Sequence, residues 1–132
     1  MHTCAAGAGE ILTGSLVNAS AIASYIKDKN PERVSLVCMG NSGIALAPED
    51  ELCARYIRSL LLGEPFEMGP EILSLVNEPS VAKFFDTRWK DVFPVKDLII
   101  CLEYDRFPFV LKADQISEDV FEITRVNVQD LK

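Results

Sequence analysis

The stretch VSLVCMGNSGIALAPEDELCA, Val34 to Ala54, joins three features: an apolar run ending at Cys38, glycines at 40 and 43, and a proline followed by Glu49, Asp50 and Glu51. A nearly unbroken apolar run is the pattern of a strand buried on both faces of a parallel sheet. Pro48 suits the first position of a helix, where its missing N–H is not needed. Acids in the first turn complement the positive end of the helix dipole. The segment therefore predicts a strand over RVSLVCMG, a glycine turn, and a helix with a buried stripe of Leu52, Tyr56, Ile57 and Leu60 that stops near Gly63.

Upstream, EILTGSLV (Glu10–Val17) reads as a short strand, and NASAIASYIKDKN reads as a helix capped by Asn18. Ile22 and Ile26 share one face of that helix, and Asp28 to Asn30 with Pro31 stop it. Strand, helix and strand together predict a right-handed β-α-β unit with adjacent parallel strands. Downstream, PEILSLVNE and SVAKFFDTRW read as helical stretches split around Pro79. KDLIICLEY is the strongest strand candidate, while FPFVLKA and VFEITRVNV read as strands nearer the alternating pattern of an edge. The expected architecture is α/β: three α/β/α layers around a mixed, partly parallel sheet, with residues 1–132 forming one domain.

Composition narrows the function. Net charge is −7, and no cluster of lysines and arginines marks a nucleic-acid surface. No apolar run approaches the roughly 20 residues of a membrane helix, and the start lacks the pattern of a signal peptide. Cys4, Cys38, Cys53 and Cys101 form no C-x-x-C pair, so neither a zinc site nor a redox motif is signalled. A reduced, cytoplasmic chain is expected. An anionic substrate requires a metal ion or local arginines to reverse the sign of the field.

Two familiar motifs fail on spacing. A cysteine-phosphatase loop from Cys38 would need arginine where Ile44 stands, and a nucleophile elbow at Ser42 would need glycine there. The sole histidine is His2, near the start of the chain, which leaves no Ser-His-acid triad. At about 100° per residue, Glu49 and Asp50 lie near the buried stripe of their helix, whereas Glu51 lies with Arg55 and Arg58. Dipole complementation alone accounts for the acids about as well as binding of a hard cation such as Mg²⁺, which prefers carboxylates and water. The glycine turn reads either as a plain tight turn or as a set of N–H groups for an anion. Asn18 and Ser20 read either as helix capping or as polar groups at a helix N-terminus that receives an anion. What raises the functional reading is that two such junctions, side by side, would form one crevice.

At these junctions the chain resembles the 2-phosphosulfolactate phosphatase family, through Gly14, Ser15, Asn18, Ala19 and Ser20, then Val37, Cys38, Gly40, Gly43, Glu49 and Asp50. The later DLIICLEYDRFPFVLKA also resembles the family's closing strands. The resemblance implies a three-layer α/β fold, a Mg²⁺ cofactor, and hydrolysis of 2-phospho-3-sulfolactate to 3-sulfolactate and phosphate in coenzyme M biosynthesis. It implies catalytic and metal roles for Glu49 and Asp50, and substrate contacts from Asn18, Ser20, Cys38, Gly40 and Gly43. The likeness is to the C-terminal half of the family's usual length, so a homo-oligomer or pairing with an N-terminal half is expected. The alternative is a truncated, non-catalytic domain that binds an anionic metabolite or pairs with another chain, with Phe84, Phe85 and Trp89 as candidates for its exposed apolar surface.

Overall fold

The computed structural model describes residues 7–128; His2 and Cys4 lie outside that range. Strand β1 (Ile11–Thr13) leads through a single 3₁₀ turn at Leu16–Asn18 into helix α1 (Ala19–Lys29). Helices α2 (Pro48–Leu62) and α3 (Met68–Val76) follow, then 3₁₀ turns over residues 79–89 and helix α4 (Val95–Leu102). A hairpin of β2 (Phe109–Ser117) and β3 (Val120–Asn127) ends the fold.

The helices end for local reasons. Asn30 closes α1 in the left-handed region at φ 45°, its N–H donating to Ile26 O at 2.9 Å. Gly63 closes α2 at φ 70°, a conformation that glycine adopts without penalty. The helix over 48–62 thus matches its expected start and stop. Arg55 links α2 to α3 through a two-pronged pair with Glu71 at 2.6 and 2.8 Å, and Arg58 pairs with Glu64. Neither arginine pairs with Glu51.

The sheet corrects the expected topology. It has three strands in the order β1-β2-β3, and both pairings are antiparallel. Ile11 faces Ala113, Thr13 faces Leu111, and the hairpin runs from Phe109↔Asn127 to Ser117↔Val120 with an irregularity between Gln115 and Ser117. No parallel pair occurs among the described residues, so the expected β-α-β unit and the mixed sheet are both replaced.

Two apolar runs account for the difference. KDLIICLEY contains α4 rather than a strand. A short apolar run fits either state until its neighbours decide, and here Leu98 is buried and Leu102, one turn on, is half-buried. RVSLVCMG forms neither helix nor strand. Its residues 33–39 make no backbone hydrogen bond to the described residues, and every one of them is exposed. A buried strand needs a neighbour on each side; among the described residues β1, β2 and β3 pair only with one another.

The core has two adjoining parts. Ala19, Ala21, Ile22, Ile57 and Val110 join α1, α2 and the sheet. Leu16, Leu52, Met68 and Leu75 join the 3₁₀ turn to α2 and α3. Cys53 and Tyr56 pack against both. Gly14 ends β1 where a Cβ would stand 3.3 Å from Ile22 Cδ1, so the absence of a side chain lets the chain pass over α1.

Candidate active site

One edge of α2 organises the candidate site. Asp50, Cys53 and Tyr56 recur at three-residue spacing, each about 60° round the helix from the last, so they wind along one side with Cys53 next to both. Asp50 stands at the end nearest the glycine turn. Its Oδ2 accepts the Gly40 N–H at 2.8 Å. Gly40 has φ 69°, and a Cβ there would lie 2.4 Å from Ala45 O, so only glycine fits. The turn is closed by Asn41 N–H donating to Ala45 O at 2.8 Å. Gly43 also has a positive φ but stands open to solvent.

Cys53 occupies the middle of the edge. Burial first, then the negative charges of Asp50, a neighbouring Cys38 thiolate and Asp105, push its thiol up to about 11. Burial followed by Glu51 and Asp50 also raises Cys38. Both thiols are therefore protonated at neutral pH, and neither has the electropositive surroundings of a nucleophilic thiolate.

Tyr56 marks the far end. Its hydroxyl donates to Asp105 Oδ2, and Asp105 Oδ1 accepts the Ser20 N–H at 2.7 Å. Burial, then the bond to Asp105, pushes the Tyr56 phenol up to about 12, with a hydrogen bond to Ser20 acting in the opposite direction. The Tyr104 ring meets the Tyr56 ring edge-on, with centroids 6.0 Å apart. Beyond it, Ile99, Leu102, Glu103, Tyr104 and Arg106 line an open depression of about 570 Å³.

The structure thus connects Gly40, Asp50, Cys38, Cys53 and Ser20 along one strip. The remaining residues sit differently. Glu49 is exposed and makes no hydrogen bond or ion pair with the described residues. Asn18 is buried: its Oδ1 accepts from the Ser15 N–H at 3.1 Å and its Nδ2 donates to Phe109 O at 3.3 Å. Its amide is spent on holding the turn, so it caps backward toward Ser15 instead of into α1.

Tyr56 and Asp105 were not among the expected site residues. Tyr56 is legible only as part of a buried stripe. Asp105 follows an apolar run in EYDRF, and aspartate is among the few residues that tolerate the left-handed region, where it stands at φ 52°. Nothing local indicates that it reaches a helix start 85 positions away.

The family model for 2-phosphosulpholactate phosphatase matches residues 1–115, and the chain belongs to that family. No curated protein and no solved structure matches it.

Proposed function

We propose that the protein is a phosphoric monoester hydrolase acting on 2-phospho-3-sulfolactate, releasing 3-sulfolactate and phosphate in coenzyme M biosynthesis. The observation that carries this reading is Asp50: one carboxylate oxygen is held by Gly40 N–H, at the start of α2 beside the glycine turn. In the reaction a water oxygen bonds to phosphorus, the phosphorus–ester oxygen bond breaks, and a proton reaches the departing alkoxide. Asp50 orients the attacking water and takes its proton. The Gly40–Gly43 turn binds an anionic end of the substrate, and Cys38 lines the wall as a neutral thiol.

Among the described residues no group of three or more His, Cys, Asp or Glu side chains could hold a metal ion. Mg²⁺ asks for less, since it keeps several waters and takes one or two carboxylates plus substrate phosphate oxygens. Asp50, with Glu49 beside it at the helix start, meets that requirement and would hold the ion. When bound, Mg²⁺ neutralises charge on the phosphoryl oxygens, which a chain of net charge −7 otherwise lacks the means to do.

The test is phosphate release from 2-phospho-3-sulfolactate and from phosphorylated acids lacking the sulfonate, with Mg²⁺ and with a chelator. Activity should require Mg²⁺ and fall at least about 100-fold in Asp50→Asn, the scale of general acid–base assistance. Wild-type turnover by Asp50→Asn would remove Asp50 from the mechanism.

A second reading, that the chain works only when paired with another polypeptide or a second copy, is favoured by one observation. Residues 33–39 make no backbone hydrogen bond to the described residues, while Val37 and Met39 are 52% and 53% exposed. Unpaired strand-forming backbone with apolar side chains is a template for another chain. Phe85 and Trp89 are also exposed, whereas Phe84 packs edge-on against Phe93. Sedimentation as a monomer at all concentrations, with full activity, would exclude this reading.

A further inference from the structure

The loop carrying Asp105 is tied to the turn before α1 by two backbone bonds, Asp105 N–H to Leu16 O at 3.0 Å and Phe107 N–H to Val17 O at 2.9 Å. Thus anchored, the Asp105 carboxylate bridges two helices. It accepts the Ser20 N–H from the first turn of α1 and the Tyr56 hydroxyl from the middle of α2. Resting on the phosphatase reading above, we infer that Asp105 is a positioning residue: by clamping Tyr56 to the start of α1, it sets the direction in which the Asp50–Cys53–Tyr56 edge faces the substrate.

The division of labour between apolar and polar contacts supports this role. Ile22 and Ile57 are buried in one cluster, and they hold α1 against α2 without help from an exposed carboxylate. Apolar packing is non-directional, however, and it tolerates small rotations of a helix about its axis. Directional hydrogen bonds to Tyr56 Oη and Ser20 N remove that freedom. Asp50 is carried on the same helix as Tyr56, about 120° round its axis, so holding Tyr56 limits the rotation that would swing Asp50. Misplacement of a reacting group by about 1 Å can cost on the order of 100-fold in rate. Asp105 acts through Tyr56 and Ser20 and does not itself touch the reacting atoms.

The experiment uses the full chain as wild type, Asp105→Asn and Asp105→Glu. Asparagine keeps the shape and can still accept the Ser20 N–H, but it presents N–H groups to the phenol in place of an acceptor. Phosphate release is measured against substrate concentration with Mg²⁺, beside thermal melts. The ¹³Cζ resonance of Tyr56 is followed at neutral pH in a Tyr25→Phe/Tyr104→Phe background. Asp105→Asn should lower kcat about tenfold or more, leave KM within about threefold, leave the melting temperature nearly unchanged and move the Tyr56 resonance. Asp105→Glu should recover part of kcat. Wild-type kcat in Asp105→Asn, or a loss matched by loss of folded protein, would overturn the positioning role. If the wild type releases no phosphate from any of these acids, the phosphatase reading fails by itself. The clamp is then judged on the Tyr56 resonance: movement in Asp105→Asn sustains it, and an unmoved resonance overturns it.

Discussion

The two glycine-containing approaches to helices, residues 13–20 before α1 and residues 38–50 before α2, look alike in sequence and differ in structure. The first is sealed. Asn18 is buried and bonded on both sides, to Ser15 and to Phe109, and Ser20 N–H is taken by Asp105. The second is open, with residues 41–46 exposed and Asp50 as its tie to the helix through Gly40. The sealed approach spends its polar groups on the fold, whereas the open one retains carboxylate and amide groups for a ligand.

Substitutions at the two approaches should therefore separate stability from activity. The largest stability effect is expected at the sealed one. Asn18→Ala removes the partner of Phe109 O and of the N–H of exposed Ser15, at about 1–3 kcal/mol in all, and chemical denaturation should register it. Gly40→Ala at the open approach forces a Cβ to within 2.4 Å of Ala45 O. Backbone strain of this kind costs about 1–3 kcal/mol, and because the turn can open into solvent the loss should appear chiefly as phosphatase activity. If Gly40→Ala unfolds the chain while Asn18→Ala leaves it intact, the contrast is reversed.

Alkaline pH sharpens the contrast along α2. The Cys53 thiol is raised from 9.0 to about 11, so the unfolded chain loses that proton first as pH rises. Its contribution to stability is complete below pH 9 and disappears between there and about 11. Melting temperature should fall across that window, and less steeply in Cys53→Ala. The smallest effect is expected at Arg55, whose side chain is 54% exposed in its pair with Glu71. Arg55→Ala should cost about 0.5 kcal/mol, and activity should be unchanged.

How much of this was readable beforehand depends on whether the signal was local. The span of α2 follows from Pro48, the acids and Gly63, and that of α1 follows from Ile22, Ile26 and the Asn30–Pro31 stop. FPFVLKA and VFEITRVNV form the hairpin, but only the second is an edge: β2 lies in the centre of the sheet, paired with both β1 and β3. The parallel sheet does not form because apolar continuity over residues 34–38 fixes neither burial nor a strand partner, and in the fold those residues are exposed. KDLIICLEY failed for a related reason, since eight apolar-rich residues fit a short helix with Leu98 inward as well as a strand. At the site, the nearness of Asp50 to the glycine turn follows from helical spacing. The part played by Asp105 depends on a loop returning from 85 residues away, which no periodicity encodes.

The pairing of Ile11–Thr13 with Leu111–Ala113, together with the reach of Asn18 to Phe109, has a consequence for biosynthesis. The opening segment emerges from the ribosome about a hundred residues before the strand that completes it. At roughly 5–20 residues per second it waits on the order of 5–20 seconds without its partner, while α1 and α2 can already dock. Closure of the sheet is accordingly a late event, and a ribosome stalled before residue 109 would hold a helical pair with its apolar underside bare.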